Sequence, residues 1–361
     1  MSKCRFLYDN LITSETMLAV SSLRNGVVMS ALKNGTGSAS MATSGLFTGQ
    51  TDREYIVEID SIAGGAEVGQ ATFKWSDGSS GWNATGVVTP STATELNNGV
   101  YIAFTSGTGA DFVVGDKWYF KAVNMFNAGK MITLDRDDRY RSASLESPNT
   151  ITITFDSEQV IDAVIIYDHN LSSAATITLW GDDAPTFDSD GGAAQVIEAV
   201  TWNDDKILHY LTTADRTKRY WQIRITDAAN PDLYIEIAEL YFGTYLALTR
   251  NFKYGETIAK TVFATTNKSP YGVRRYRFGN ILDEFTLEFP LLPDSDVTAI
   301  IAMLNAISDR STQEYNPVYI NHDPSTPGDV LLCHIDTFER TKVFVDQNNV
   351  SIGVQEVARS V

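Results

Sequence analysis

Apolar and polar residues alternate along most of this chain with a period of two. Ile151-Thr-Ile-Thr-Phe155, Thr176-Ile-Thr-Leu-Trp180 and Trp221-Gln-Ile-Arg-Ile225 show it, as do Ala71-Thr-Phe-Lys-Trp75 and Val100-Tyr-Ile-Ala-Phe104. Successive side chains of an extended strand point to opposite faces, so the pattern buries one face and wets the other. Between residues 55 and 120, Tyr55, Val57 and Ile59 share a face. So do Phe73 and Trp75, then Val100, Ile102 and Phe104, then Trp118 and Phe120. Gly64-Gly65, Asp77-Gly78, Asn97-Asn-Gly99 and Gly107-Thr-Gly109 supply turns between them. Strands at this spacing predict a β-sandwich or small barrel. A second β block follows, with strands expected near 150–155, 163–167, 175–180, 207–211, 220–225 and 233–242. Residues 24–50, rich in Gly, Ser, Ala and Thr, read as short strands with long turns rather than as a flexible linker.

The period changes once. Val297, Ile300, Ile301, Leu304 and Ile307 fall three and four apart, which lines up one apolar stripe. This predicts a helix from about Asp296 to Asp309, with Ser295 as N-cap and Pro290 and Pro293 separating it from the preceding strand. Strand patterning returns at 317–320, 330–333, 343–345 and 350–354. The expected class is mainly β: sandwich or jelly-roll modules followed by a C-terminal α+β domain with one main helix. At 361 residues the chain exceeds one ordinary core, so two or three domains are expected.

Composition narrows the function. An apolar share of 43% with 20% charged residues belongs to a folded chain. No apolar run approaches the ~20 residues that cross a bilayer, so membrane insertion is not expected. Met1-Ser-Lys-Cys-Arg-Phe6 lacks the apolar stretch of a secretory signal. The net charge is −17, and residues 1–245 alone hold 31 Asp and Glu against 17 Lys and Arg. Such a surface repels phosphate backbones, which argues against a nucleic-acid partner. Cys4 and Cys333, at opposite ends of the chain, make neither a disulfide framework nor a cysteine zinc site.

Reactive chemistry is sparse. His169, His209, His322 and His334 form no His-x-x-x-His pair, and no Gly-x-Ser-x-Gly elbow occurs. Gly129-Lys130 fails as a phosphate loop: Asn124 stands where its first glycine belongs, and Met131 replaces the Ser or Thr that would hold magnesium. Asp182, Asp183, Asp188 and Asp190 surround a Gly-Gly turn. Asp188-Ser-Asp-Gly191 reads either as a surface acidic turn or as the opening of a calcium loop lacking its bidentate Glu. Calcium is therefore the one cofactor considered, and otherwise none is expected. Asp168-His169-Asn170 follows a strand, where polar side chains either make turns or hydrogen-bond sugar hydroxyls, with Trp180 as an aromatic platform. Arg274, Arg275 and Arg277, among Tyr271, Tyr276 and Phe278, form a basic–aromatic cluster. It reads as an assembly interface against an acidic neighbouring subunit more readily than as a nucleic-acid platform. No catalytic residue is assigned and no reaction is expected; a polysaccharide hydrolase is the weakest alternative, because no acidic pair stands out.

Two resemblances add expectations. Tyr140-Arg-Ser142, Thr150–Phe155, Val160–Tyr167, Ala175–Trp180, Arg219–Ile225 and Tyr234–Gly243 together resemble the discoidin, or galactose-binding-like, jelly roll. Tyr8–Ile12 and Leu18–Ser21 resemble its first strand. The resemblance implies a jelly roll over 1–23 and 124–245, an inserted β-sandwich domain over 24–123, and an α+β assembly domain over 246–361. It also implies binding of glycans through loops, and often a structural calcium. The whole chain resembles tail and baseplate proteins of long-tailed bacteriophages in Phe73–Gly78, Gly99–Phe104, Gly115–Trp118, Asp168–Leu171 and the segment from Tyr271 to Val357. That implies a virion structural protein made in the host cytoplasm and partnered by other tail proteins. A homo-oligomeric ring or trimer and contact with host surface glycans are implied too. The alternative is a non-catalytic carbohydrate-binding protein.

Overall fold

The computed structural model describes residues 3–187, 196–214, 216–253, 258–268, 274–309, 314–323, 326 and 328–357, side chains excepted at 196, 258–268, 274–282, 309 and 314–315. Strand makes up 52% and helix 7%, so the chain adopts the mainly-β class that its alternation predicts. Two compact units result. One comprises residues 1–18, 131–139 and 145–361; the other comprises 19–130 and 140–144.

The larger unit is built on two antiparallel sheets. Its strands are β1 (Arg5–Asn10), β2 (Asn149–Val160), β3 (Ala163–His169), β4 (Thr176–Asp182), β5 (Val196–Val200), β6 (Lys206–Tyr210), β7 (Thr217–Thr226) and β8 (Glu236–Ala247). They continue with β9 (Ile258–Lys268), β10 (Arg274–Leu292), β11 (Val318–Asn321), β12 (Val330–Phe344) and β13 (Gln347–Glu356). The small sheet runs β5-β4-β7-β2, and the large sheet runs β6-β3-β8-β1-β11-β12-β13-β10-β9. Ile151, Ile153, Phe155, Leu179, Trp221 and Ile223 of the small sheet are buried. The Trp221 ring meets Phe242 of β8 edge-on at 5.7 Å, which joins the two layers.

The far half of the large sheet carries the helix, α1 (Asp294–Ile307). It starts two residues earlier than the apolar stripe predicts. Pro293, not Ser295, is the N-cap residue and makes no side-chain cap bond. The Asp294 carboxylate instead takes bonds from Asn348 Nδ2 at 2.8 Å and Arg340 Nη2 at 3.1 Å. Val297, Ile300, Leu304 and Ile307 face the core as expected, but Met303 completes the stripe and Ile301 is partly exposed. Cys4 and Cys333 are both buried thiols. Their apolar surroundings, Phe6, Leu287 and Ile335 among them, push the Cys333 thiol far above its ordinary range.

The smaller unit is a single curled antiparallel sheet. Its core holds Tyr55, Val57 and Ile59, Phe73 and Trp75, Val100, Ile102 and Phe104, and Trp118 and Phe120, so the alternation picks out the inward residues there. Tyr55 and Phe120 stack at 5.0 Å, and Phe104 meets both Phe112 and Trp118 edge-on at 5.2 Å. The segment 24–50 contributes strands Gly26–Val28, Leu32–Asn34 and Ser40–Phe47.

Candidate functional site

The turn at the end of β3 was the first expected site. Asp168 sits there at φ 53°, a left-handed conformation that Asp tolerates, and it is 2% exposed. Its Oδ2 accepts from Arg136 Nε at 2.8 Å and lies 4.0 Å from Arg139 Nη2. Arg136 also donates to the Val357 carbonyl at 3.0 Å, and its guanidinium lies 5.1 Å from the Tyr167 ring centre. Arg139 pairs with Glu236 at 3.0 Å.

His169 accepts the Leu171 amide at Nδ1, which leaves the proton on Nε2 for the Asn203 carbonyl at 3.1 Å. Burial lowers its pKa, so the ring is neutral at neutral pH. Asn170 Oδ1 accepts the Glu236 amide at 2.7 Å, while Nδ2 donates to Asp232 and to the Tyr234 carbonyl, each at 3.0 Å. The tryptophan tied to this turn is Trp202, which donates to the Leu171 carbonyl at 3.1 Å. The three polar residues are thus brought together, but they direct their bonds inward and stitch the turn to distant segments.

Trp180 lies elsewhere. On β4 it alternates with the buried Leu179 and Gly181, so it stands on the outer face of the small sheet. Register places Ile197 across from it on β5 and Gln222 across from it on β7. Thr152 continues the row on β2. The adjacent rows hold Thr178, Arg224 and Thr150 on one side and Asp182, Tyr220 and Thr154 on the other. Ile197 is 50% exposed and Thr154 and Ala199 are exposed, while Trp180, Gln222 and Arg224 are partly exposed, so among the described residues this face reaches solvent.

Its polar groups are ordered. Arg224 Cζ sits 3.6 Å from the Trp180 ring centre, a close cation–π stack. Arg224 Nε donates to Gln222 Oε1 at 2.6 Å and Nη2 donates to the Phe187 carbonyl at 3.1 Å. Gln222 Nε2 donates to Thr152 Oγ1, and Trp180 Nε1 to Thr178 Oγ1, both at 3.0 Å. Partial burial lowers the Arg224 pKa. The result is a planar aromatic, a guanidinium, an amide and threonine hydroxyls held in fixed positions on solvent-facing strands. Such a surface stacks on the apolar face of a flat polar ligand while donating hydrogen bonds at its edge.

Of the residues on this face, sequence reasoning identified Trp180 and missed Tyr220, Gln222 and Arg224. The usable signal was their i, i+2 spacing on the wet side of Tyr220–Ile225. Asp188 and Asp190 lie outside the described residues. Arg274, Arg275 and Arg277 lie on β10 paired with β9, Arg277 opposite Thr265 and Arg275 opposite Asn267; their side chains are outside the description. Among the described residues no group of three His, Cys, Asp or Glu is disposed to hold a metal. No helix among them is long and apolar enough to cross a membrane.

A second chemical anomaly lies inside the large sheet. Glu239 on β8 faces Tyr167 across the β3–β8 ladder and is 0% exposed. Burial first, then Asp135 and Asp138, pushes its pKa up to about 9, against the amides of Leu134 and Asp135. It keeps the protonated form at neutral pH.

Neither a protein-family model nor a curated protein matches the chain. Solved structures similar to it include chitosan-binding module 1 of a chitosanase/glucanase from Paenibacillus sp. IK-5, at 20% identity over 33% of this chain and 86% of that one, with a TM-score of 0.25. A fucolectin from striped bass (Morone saxatilis) serum is 7% identical over 60% of this chain and 85% of that one, TM-score 0.26. The CBM32-1 and CBM32-2 domains of Clostridium perfringens ZmpB, in complex with GalNAc, are 9% identical over 66% and 99%, TM-score 0.25. At TM-scores this low the likeness carries no argument.

Proposed function

We propose that this chain is a non-catalytic carbohydrate-binding protein whose galactose-binding-like sandwich takes a saccharide on the outer face of β5-β4-β7-β2. One observation carries the reading: Trp180, Gln222 and Arg224 are adjacent in register on an open sheet face, with their orientations fixed by bonds to one another. A sugar ring presents an apolar face and a rim of hydroxyls, which matches an aromatic flanked by planar donors and acceptors. The inward-bonded Asp168, His169 and Asn170 act as a scaffold in this account. A glycan array on the purified protein tests it, repeated with Trp180→Ala. Retention of at least one glycan class, lost in the variant while the melting temperature is kept, is the expected result. Arrays without signal at millimolar glycan contradict it.

A second reading is a structural component of a bacteriophage tail or baseplate that resides in the virion, assembles as a ring or trimer and meets tail proteins. What favours it, besides the sequence resemblance, is the β12–β13 hairpin tip, where Phe344 is 63% and Val345 89% exposed. Cryo-microscopy of the particle would locate the chain in a symmetric ring or tip. Recovery of the chain only unassembled from the lysate counts against it.

A further inference from the structure

We infer that the saccharide taken by this face is acidic, a uronate whose carboxylate is gripped by Arg224; this rests on the carbohydrate-binding reading above. The guanidinium is held along one edge and across one face. Its Nε and one Nη2 hydrogen are committed to Gln222 Oε1 at 2.6 Å and the Phe187 carbonyl at 3.1 Å. Those two donors share one edge of the planar group. Stacking on Trp180 at 3.6 Å stops the plane from rotating. The remaining edge, formed by Nη1 and the second Nη2 hydrogen, makes no hydrogen bond among the described residues.

An arginine so fixed presents two parallel N–H groups at the spacing of a carboxylate. Among the described residues no carboxylate compensates its charge. Arg136, Arg139, Arg216 and Arg340 each reach a carboxylate within 3.1 Å. Arg224 forms no ion pair among the described residues, in a chain with 45 acidic side chains. Its neighbour along the row on β4 is Thr178, a neutral hydroxyl carrier suited to a hydroxyl next to a sugar carboxylate. Trp180 lies on the adjoining row and Tyr220 on the row beyond it, so a second sugar unit of a chain has an aromatic to rest on.

The test uses the full chain and two probes that differ only in charge: tri-galacturonic acid and its methyl ester, titrated by calorimetry at low and moderate salt. The acid is expected to bind at least tenfold more tightly than the ester and to weaken with salt. Arg224→Met, which keeps the stem and removes the fork, is expected to abolish that tenfold preference. Arg224→Lys, which keeps charge without the fork, is expected to restore only part of it. Equal binding of acid and ester, unchanged in Arg224→Met but lost in Trp180→Ala, overturns the uronate assignment and leaves the carbohydrate reading intact. A sulfated oligosaccharide bound in place of tri-galacturonic acid overturns it likewise. Binding of none of the three probes, together with a silent glycan array, removes both.

Discussion

Arg136 and Arg224 both lie over aromatic rings in the larger unit, and they do opposite things. Arg136 sits 5.1 Å from the Tyr167 ring centre in the interior, tied to Asp168 and to the Val357 carbonyl. Arg224 sits 3.6 Å from the Trp180 ring centre on an open sheet face, with no acid beside it among the described residues. Burial works against the charge of both. For Arg136 the bond to Asp168 and the nearby negative charges outweigh it and raise the pKa; for Arg224 nothing offsets it and the pKa falls. A cation–π stack is thus structural where the donors close inward, and available to a ligand where an edge stays open.

The comparison breaks first at Arg136. Its replacement by Ala leaves Asp168 buried without its nearest counter-charge, and unfolding in urea should register a loss of about 3–5 kcal/mol. A loss under ~1 kcal/mol would put the two arginines in the same class.

The buried acid near Tyr167 sharpens the interior half. Glu239 is protonated in the native chain up to about pH 9, whereas an unfolded Glu ionises near its ordinary value of 4.5. A raised folded pKa gives full stability below pH 4.5 that is lost as pH rises towards 9. Glu239→Gln should flatten that slope and gain on the order of 2–4 kcal/mol at pH 8 relative to the native chain. Parallel stability curves from pH 5 to 9 would show that the acid is solvated in the native state.

Asn170→Ala separates scaffold from ligand site. It removes the partners of the Glu236 amide, the Tyr234 carbonyl and Asp232, at a cost of about 1–3 kcal/mol, and should leave saccharide affinity within twofold. A tenfold loss of affinity at unchanged stability would return the turn to the binding site. The smallest stability effect belongs to Arg224→Met, within about 1 kcal/mol, because the group is only partly buried and makes no ion pair among the described residues.

Much of the fold was legible because period-two alternation is a local property: Tyr55, Val57 and Ile59 declare their face without reference to any partner strand. The helix was legible to within two residues. The misplacement has a local cause, since Ser295 fits the N-cap preference, yet Pro293 already holds the required extended conformation at φ −66°. Met303 displaced Ile301 from the stripe because three-and-four spacing allows both and tertiary packing chose. The candidate site was only half legible. Trp180 is visible as an aromatic on the wet side of a strand, but Gln222 and Arg224 become its neighbours through the β4–β7 register, which no local pattern encodes. Conversely, Asp168, His169 and Asn170 have the residue types of both turns and sugar sites. Their inward role emerges from Arg136, Asn203 and Glu236, each drawn from another part of the chain.

The most direct test of the open-face account is amide and side-chain NMR of the labelled chain during titration with the best glycan from the array. The account predicts saturable shifts concentrated at Trp180 Nε1, the Gln222 amide group and Arg224 Nε, with Asp168, His169 and Asn170 unmoved. Shifts confined to the 168–170 turn, with Trp180 and Arg224 silent, would contradict it.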